Sequence, residues 1–363
     1  MTRLRLAVIG VGHLGKEHAR ILAGLPEVEL AGVADVNAAQ GEAVALRCGT
    51  RPFADYRALL PRVDAAVVVV PTAYHHAVAV EFLRRGLPVL VEKPLAADLS
   101  QAGELVELAR RQGVTLQVGH IERFNPAFEE LCRRPLRPRF VTCERLGSFT
   151  GRSSDIGAVL DLMIHDLDLL LALVRSPVRD VQALGLSVLG GHEDVAAARL
   201  VFENGCVANL SASRVSAAPL RRMQVWSAEG FACVDFAKKH LTLVQPSEEL
   251  RQQRLDPRRL DAAALALLKA ELYGRHLQTL ELDCQGGDQL TRELQDFLHC
   301  VRTGERPRAS GEDGRDALAL ATRVLDSLRA HRWEGHADGP AGPLHLPAAA
   351  GQLFQPAQDG AAA

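Results

Sequence analysis

The sequence predicts an α/β protein with two different sheets: an N-terminal doubly wound parallel sheet, and a C-terminal α+β domain with an open-faced, mostly antiparallel sheet. Three observations lead to this prediction. Apolar, strand-like runs alternate with helical patterns up to about residue 120. A glycine-rich turn joins the first predicted strand to the first predicted helix. Beyond residue 120, short alternating segments follow one another with turns instead of helices between them.

The first third of the chain has the spacing of β–α–β units. Residues 65–70, AAVVVV, are typical of a strand that is buried on both faces, and Gly86 stands where a helix-ending glycine is expected. Alternation of this kind favours a parallel sheet with right-handed crossovers. Predicted strands cover residues 4–9, 28–35, 65–70, 88–91 and 115–119, and predicted helices cover residues 16–25, 38–47, 76–85 and 100–113.

The remainder of the chain contains a strongly apolar helix at 159–174, a shorter helix at 126–131 and two late helices at 289–303 and 314–330. Turn-linked segments with alternating polarity indicate an antiparallel or mixed sheet. These strands are predicted at residues 140–145, 180–188, 196–202, 207–214, 222–227, 232–236 and 240–244. Alanine, glycine and proline dominate the last residues. We therefore predict a first domain at 1–120, a second at 121–335 and a disordered tail at 336–363.

Composition narrows the functional classes. The 363 residues carry a net charge of −2, which argues against binding of nucleic acid but leaves room for a small anionic ligand. No run of about 20 uncharged apolar residues exists, so no membrane-spanning helix is expected. The seven cysteines are spaced like neither a disulfide framework nor a zinc knuckle, which favours reduced thiols in a cytoplasmic protein.

The glycine-rich turn GVGHLG, residues 10–15, lies between a predicted strand and a predicted helix, the context of a dinucleotide-binding Rossmann domain. There the helix N-terminus faces the phosphates. Asp35 follows 20 residues after Gly15, where a carboxylate can bind the adenosine ribose and repel a 2′-phosphate, so NAD is favoured over NADP. Alternatively, Asp35 is a turn residue in a fold that has lost its cofactor. The predicted binding turn comprises Gly10, Gly12, His13, Leu14 and Gly15.

Two groups of polar residues follow buried strands. Glu92-Lys93-Pro94 comes after the strand at 88–91, and Pro71-Thr72 with His75 comes after the strand at 65–70. Ligands of open parallel sheets bind beyond these carboxyl ends, so Lys93 is a candidate acid/base. The candidate cofactor contacts in these two groups are Pro71, Thr72, His75, Glu92 and Lys93. A surface lysine in a turn is the alternative. The adjacent His75 and His76 have no third ligand nearby, so no metal is expected.

The apolar helix at 159–174 carries Asp161, His165 and Asp168 at positions that share one face, with Asp166 pointing elsewhere. Unpaired polar groups on such a helix are costly. Either they form a buried network that stiffens the core, or their face lines a cleft in which His165 contacts a substrate hydroxyl.

Four motifs together resemble the Gfo/Idh/MocA oxidoreductases over about residues 3–333: Gly10-x-Gly12-x-x-Gly15, Pro71-Thr72-x-x-His75, Glu92-Lys93-Pro94 and Asp161-x-x-x-His165. The resemblance implies a Rossmann domain, an open-faced C-terminal domain and hydride transfer between NAD and a sugar or polyol carbon. It also implies Lys93 as the acid/base, with Asp161 and His165 contacting substrate or relaying its proton. Sheet faces of such domains form homodimers or homotetramers, and the strands at 196–244 are the expected interface.

The segment VGHIERFNP, residues 118–126, is similar to that of UDP-N-acetylglucosamine 3-dehydrogenases, which implies oxidation at C3 of that nucleotide sugar. A diphosphate favours arginine partners. Candidate substrate contacts are Arg123, Asn125, Arg145, Arg152, His165 and Arg214. Two alternatives remain open: a dehydrogenase of a free polyol such as inositol, and a non-catalytic NAD-binding regulatory protein.

Overall fold

A computed structural model describes residues 2–151, 155–336, 338–347 and 349. Its first sheet has six strands in the order β3-β2-β1-β4-β5-β6, and all neighbours are parallel. The strands are β1 (Leu4–Ile9), β2 (Val28–Ala34), β3 (Pro52–Phe53), β4 (Ala65–Val68), β5 (Val89–Glu92) and β6 (Leu116–Gly119). The connecting helices are α1 (Gly15–Gly24), α2 (Ala38–Cys48), α3 (His75–Leu83) and α4 (Leu99–Gln112). The predicted doubly wound parallel sheet is confirmed.

The strand order reverses at β1, which pairs with β2 on one side and β4 on the other. Connections therefore leave β1 in opposite directions and open a crevice beyond its carboxyl end, where open α/β sheets bind ligands. The motifs predicted to bind the cofactor follow β1, β2, β4 and β5, and they therefore meet at this edge.

The second sheet has eight strands in the order β14-β13-β12-β11-β7-β10-β9-β8, antiparallel except for the β7–β10 pair. The predicted mostly antiparallel sheet is confirmed. Its strands are β7 (Phe140–Leu146), β8 (Val178–Leu186), β9 (Val195–Phe202), β10 (Val207–Ser213), β11 (Leu220–Trp226), β12 (Phe231–Asp235), β13 (His240–Pro246) and β14 (Leu277–Asp283). Alternate side chains of these strands join the buried core with helices α5 (Pro126–Cys132) and α6 (Ile164–Val174).

The last two long helices connect the two sheets. Helix α9 (Gln289–Thr303) places Leu294 and Phe297 in the core of the first sheet, although it follows the second sheet in sequence. Helix α10 (Gly311–Ala330) packs against α4, α6 and β8. Between β13 and β14, the chain forms two helices that the sequence patterns had not indicated: α7 (Glu248–Arg251) and α8 (Ala262–Glu271). The crevice beyond β1 and the start of α6 are thus held together by elements from both ends of the chain.

Two further features differ in detail from the sequence patterns. The predicted helix at 159–174 begins with a π-helical turn at Val159–Met163, and regular α-helix starts only at Ile164. Part of the predicted disordered tail packs on the fold: the Trp333 indole donates to Gly342 O at 2.9 Å and the Ser187 N–H donates to Pro343 O at 3.0 Å. No helix in the described part of the chain is long and apolar enough to cross a bilayer.

Candidate active site and cofactor site

The turn after β1 has the shape that a dinucleotide phosphate needs. Gly10 has a φ of +85°, and a Cβ there would lie 2.7 Å from Val69 O. A Cβ on Gly15 would collide with the carbonyl oxygen of Gly10. A Cβ on Gly12, by contrast, would find nothing closer than Gln40 Nε2 at 3.8 Å. The fold itself therefore explains two of the glycines, and the open space at Gly12 fits the close approach of a pyrophosphate.

The start of α1 and the end of β2 complete this half of the crevice. Leu14 stands at the helix N-cap without a side-chain cap, and the positive end of the α1 helix dipole lies at this turn, where it favours an anion. His13 and Leu14 are exposed at the turn. The half-buried Asp35 carboxylate accepts from Val11 N–H at 2.8 Å and from Asn37 N–H at 2.9 Å. These bonds fix Asp35 beside the glycine turn, and lone pairs on its oxygens remain for a ribose diol.

His75 links the two loops at the far side of the crevice. Its Nδ1 lies 2.8 Å from Pro94 O and its Nε2 lies 2.8 Å from Val70 O, and the ring is buried. Burial lowers the pKa of His75 despite these two carbonyls, so a neutral ring donates to only one of them. Pro71 is exposed and Thr72 half-buried at the start of this segment. The predicted contact residues after β4 and β5 are therefore brought together.

Lys93 and Asp161 form the centre of the predicted catalytic group. Lys93 Nζ lies 2.6 Å from the backbone oxygen of Asp161 and 2.9 Å from its carboxylate Oδ1. Their side chains are 12% and 23% exposed, so the pair is shielded but reachable from the cleft. The Lys93–Pro94 peptide is cis. The two predicted residues, one from each sheet's domain, meet in the fold.

His165 lies on the first turn of α6 and is half-buried. Its Nδ1 is buried without a hydrogen-bond partner among the described residues. Burial holds the pKa of His165 well below its ordinary value, and the nearby charges of Lys93 and Arg145 lower it further. The lowered pKa favours the neutral ring, which can donate one hydrogen bond and accept another.

Asp168 pairs with Arg123 instead of facing the cleft. Arg123 donates to both Asp168 oxygens at 2.6 and 2.7 Å, and Asp168 is 1% exposed. His120 lies beside them, with its Nε2 3.9 Å from Asp168 Oδ1 and no hydrogen bond at either ring nitrogen in the described part of the chain. Burial lowers the pKa of His120. The predicted substrate contact Arg123 therefore has an internal partner.

Arg145 is neutralised in the same way. It donates to both oxygens of Asp166, at 2.8 and 3.0 Å, and to Glu122 Oε1 at 2.8 Å. Although burial opposes the charge of Arg145, the two carboxylates raise its pKa. All three side chains are buried, so this network supports the wall of the cleft from behind.

The remaining predicted substrate contacts divide into two groups. Asn125 is fully buried, caps α5 and donates to Phe236 O at 3.0 Å. Arg214 donates to Asp194 Oδ1 at 2.6 Å and is buried. Arg152 lies outside the described residues. Both described residues thus make internal contacts that hold the fold around the cleft.

The structure also adds groups to the site that sequence reasoning missed. The carboxylate of Glu92, beside Lys93, meets His18 from α1 and Glu293 from α9 in a buried cluster. Glu92 itself was predicted as a cofactor contact, but it points into this cluster. No local pattern could have indicated the other two residues, because each is an ordinary polar position on an amphipathic helix.

Comparison with known proteins agrees with this geometry. Residues 4–120 match the model of the oxidoreductase family with an NAD-binding Rossmann fold, and residues 133–232 match the GFO/IDH/MocA C-terminal domain. The chain is 35% identical over 340 residues to UDP-N-acetylglucosamine 3-dehydrogenase of Acidithiobacillus ferrooxidans, covering 91% of this chain and 99% of that protein. A solved structure of that enzyme superposes with a TM-score of 0.79, covering 90% of this chain and 98% of the other.

More distant relatives share the fold. The scyllo-inositol 2-dehydrogenase (NAD⁺) of Bacillus subtilis is 25% identical over 90% of this chain and 94% of its own length. Levoglucosan dehydrogenase in complex with NADH and L-sorbose is 18% identical, with a TM-score of 0.74 over 90% of this chain and 97% of its own. These matches and the cofactor crevice agree with each other. The chain therefore belongs to the Gfo/Idh/MocA family and is an NAD-dependent oxidoreductase acting on CH–OH groups.

Proposed function

We propose that the protein oxidises the C3 hydroxyl of UDP-N-acetylglucosamine to a ketone with NAD. The observation that carries this proposal is the 35% identity to an enzyme of that name over nearly the full length of both chains. Inositol dehydrogenases match at 25% identity over comparable lengths. The segment 118–126 supports the same substrate by its likeness to that enzyme group.

In this proposal Lys93 is the acid/base. In its neutral form it accepts the proton of the 3-hydroxyl while the C3–H bond breaks and the C3–O double bond forms. Asp161 holds the Lys93 nitrogen through its carboxylate and its backbone oxygen, and so fixes the direction of proton transfer. When bound, NAD supplies the acceptor for the hydride that leaves C3. Gly12, the start of α1 and Asp35 would hold it.

His165 stands beside this pair as a neutral ring in the proposed reaction. Its pKa is lowered chiefly by burial, so it can accept a hydrogen bond from a sugar hydroxyl instead of repelling Lys93. We assign to His165 the second contact with the reacting hydroxyl, with Nδ1 or Nε2 carrying the proton that the substrate needs.

The substrate diphosphate needs a cation, and we propose Arg221 for this role. The earlier candidates Arg123, Arg145 and Arg214 all have carboxylate partners within the fold. Arg221, at the exposed start of β11, pairs in register with Arg145, so its side chain leaves the sheet on the helix-covered face, toward α6. Its charge acts on His165, and within the described residues its side chain has no hydrogen bond or ion pair.

One observation favours the alternative substrate. A free polyol such as inositol carries no charge, and a cleft whose arginines Arg123, Arg145 and Arg214 are neutralised internally would suit it. The Arg221 contact distinguishes the two substrates, because only the diphosphate of a nucleotide sugar needs a cationic partner.

The deciding experiment measures NADH formation with UDP-N-acetylglucosamine, UDP-glucose, N-acetylglucosamine and myo-inositol. Turnover highest with UDP-N-acetylglucosamine supports the proposal, and turnover with myo-inositol alone overturns it. Reduction of the product with borodeuteride, followed by mass spectrometry and NMR, must place the deuterium at C3. Deuterium at another carbon would contradict the assigned position.

Two variants of neighbouring residues test the diphosphate contact. Arg221→Met should raise the KM for UDP-N-acetylglucosamine about 10- to 100-fold, the effect of one lost charge-assisted hydrogen bond. Arg222→Met is the matched control, because Arg222 leaves the sheet on the opposite face and pairs with Glu144 at 2.6 Å. An unchanged KM in Arg221→Met would remove this residue from the substrate site.

We also propose that the protein is a homodimer or homotetramer and that it is located in the cytoplasm. The boundary between its two domains is proposed to lie near residue 120. Phe140, Trp226 and Phe231 form an aromatic cluster, with ring centroids 5.1 Å apart along the series, on side chains that alternate away from the buried core. Such a cluster favours a protein interface. The seven free cysteines support the proposed cytoplasmic location, because reducing compartments keep thiols unpaired. Light scattering should give a dimer or tetramer mass, and Trp226→Glu should lower it. A monomer in the wild type would overturn the interface.

A further inference from the structure

Glu293 carries a buried carboxylate that has no hydrogen-bond partner among the described residues. It lies on α9 and is 0% exposed. Neither of its carboxylate oxygens has a hydrogen-bond partner in the described part of the chain. A buried polar group that lacks a partner costs free energy, and a buried carboxylate costs more. Such a group therefore calls for a functional or structural reason.

The side chain faces the residue that precedes Lys93. One carboxylate oxygen of Glu293, one of Glu92 and one ring nitrogen of His18 all lie within 4.8 Å of one another. His18 Nε2 is 3.0 Å from Glu92 Oε1, and Glu92 Oε2 accepts from the Lys93 backbone N–H at 3.2 Å. Glu92 thus already holds the peptide from which the Lys93 side chain departs.

The surrounding chain is shaped for this cluster. A Cβ on Gly119 would lie 2.7 Å from Glu92 Oε2, so strand β6 leaves space for the carboxylate by carrying no side chain there. Gln117, also on β6, donates to the backbone oxygen of Glu293 at 3.1 Å and fixes α9 in place. The cluster therefore joins α1, β5, β6 and α9 around one carboxylate pair.

When two carboxylates lie within 4.8 Å of each other in a buried site, the pKa of one of them is strongly raised. Burial raises the pKa of Glu293 well above its ordinary value, and the charges of Glu92 and Asp296 raise it further. Burial alone would also raise the pKa of Glu92, but the hydrogen bond and charge of His18, with Lys93 beyond, hold it low. The single proton of the pair accordingly belongs to Glu293.

We propose that Glu293 is a positioning residue for Lys93, held as a neutral carboxylic acid that donates a hydrogen bond to the Glu92 carboxylate, directly or through one water. The gap of at most 4.8 Å admits either arrangement. With this bond, the Glu92 carboxylate is held by His18, by the Lys93 N–H and by Glu293, and the peptide before Lys93 has one orientation. Glu293 on α9 thereby helps to orient the side chain of Lys93, which follows β5 of the first sheet. The inference rests on the acid/base role proposed for Lys93.

Three variants test the positioning role. Glu293→Gln keeps a donor and the volume without an ionisable group, Glu293→Met removes the donor, and Glu305→Gln changes an exposed glutamate just beyond α9 as the control. The kinetic assays use NAD and whichever sugar of the panel the wild type oxidises fastest. Glu293→Met should lower kcat about 10- to 100-fold with little change in the KM for NAD, because a small misplacement of Lys93 is costly. Glu293→Gln should restore kcat to near wild type.

Infrared spectroscopy supplies a readout that does not depend on activity. The wild type should show the carbonyl stretch of a protonated carboxyl group near neutral pH, and Glu293→Gln should lack it while Glu305→Gln keeps it. Absence of this band, or its persistence in Glu293→Gln, would overturn the neutral acid. A band that behaves as expected with an unchanged kcat in Glu293→Met would overturn the positioning role. If the wild type holds one equivalent of tightly bound metal and Glu293→Gln does not, a cation lies between the Glu92 and Glu293 carboxylates instead of a proton. That result would also overturn the neutral acid. If UDP-N-acetylglucosamine is not the substrate, only the substrate panel shows it, because the Glu293 variants are assayed with whichever sugar the wild type oxidises fastest.

Discussion

The side-chain nitrogen of Lys93 lies within hydrogen-bond distance of two oxygens of Asp161, the backbone carbonyl at 2.6 Å and the carboxylate Oδ1 at 2.9 Å. The two residues are 68 positions apart, and Asp161 lies on the π-helical turn that precedes α6. Turns of this kind interrupt the regular hydrogen-bond ladder and often occur at functional sites. The pair joins a residue after β5 of the first sheet to a residue that precedes α6, so the proposed chemistry requires the elements around both sheets.

Replacing Lys93 tests whether this pair performs the proton transfer. Lys93→Met should lower kcat about 10²- to 10⁴-fold, the usual contribution of a positioned acid/base, while NADH binding and the thermal midpoint stay close to wild type. Stopped assays with the best substrate of the panel measure the loss. The exposed Lys269→Met on α8 is the control and should keep full activity. Activity of Lys93→Met within about threefold of wild type would exclude the role.

Asp35 provides a test of cofactor preference. Its carboxylate sits at the end of β2 beside Val11 N–H, where it would bind the adenosine ribose and repel a 2′-phosphate. Asp35→Ser should lower kcat/KM for NAD about 10- to 100-fold, since a hydrogen bond to a charged group is lost, and should raise kcat/KM for NADP. The comparison variant Asp35→Asn removes only the charge, so it should gain with NADP and lose less with NAD. Equal efficiencies with both cofactors in the wild type would contradict this role.

Much of the first domain could be predicted because its signals are local. The ligand-binding edge of the first sheet can be located from local motifs: the strand AAVVVV, the glycine turn and the residues after each strand. Parallel strands place their carboxyl ends together, so these motifs lie at the same edge. Lys93 and Asp161 were predicted separately and meet in the structure. Their meeting depends on docking of two domains, which no periodicity within 20 residues encodes.

The carboxylate partners of the arginines could not be predicted from the sequence. Arg123 and Arg214 had been assigned to the substrate, yet they bind Asp168 and Asp194, which lie 45 and 20 positions away. An arginine in a loop has the same local signature whether it faces a carboxylate or a diphosphate. The cluster around Glu293 could not be predicted from the sequence for a related reason. Whether a helix position is buried depends on which other element packs against it.

The buried network of Arg145 should dominate the stability of the second domain. Arg145→Met removes one partner and leaves the carboxylates of Asp166 and Glu122 buried, which should cost about 3–5 kcal/mol of unfolding free energy. Arg222→Met, on the neighbouring strand, breaks a half-exposed pair with Glu144 and should cost about 0–1 kcal/mol. Urea unfolding followed by circular dichroism compares the two. Equal losses would show that the network adds little to stability.

Three histidines, two of them buried and His165 half-buried, should make the folding stability depend on pH below neutrality. Burial, the largest cause in each case, lowers the pKa of His75, His120 and His165 from the ordinary value of 6.5. Below pH 6.5 the unfolded chain takes up protons that the folded protein does not, so folding stability is complete above pH 6.5 and falls as the pH drops toward the folded pKa values. The thermal midpoint should therefore decline steadily in acid.

His120→Leu tests this mechanism at a histidine whose two ring nitrogens both lack hydrogen bonds to the described residues. The variant has one fewer group that takes up a proton on unfolding, so its thermal midpoint should fall less steeply between about pH 7 and 5 than that of the wild type. At pH 8, where the histidine is neutral in both states, exchanging an unpartnered buried ring for an apolar side chain of similar volume should be neutral or stabilising. Calorimetry across this range measures both effects. A slope equal to that of the wild type would show that His120 takes up its proton in the folded state, and the charge of Asp168, 3.9 Å away, would then outweigh burial.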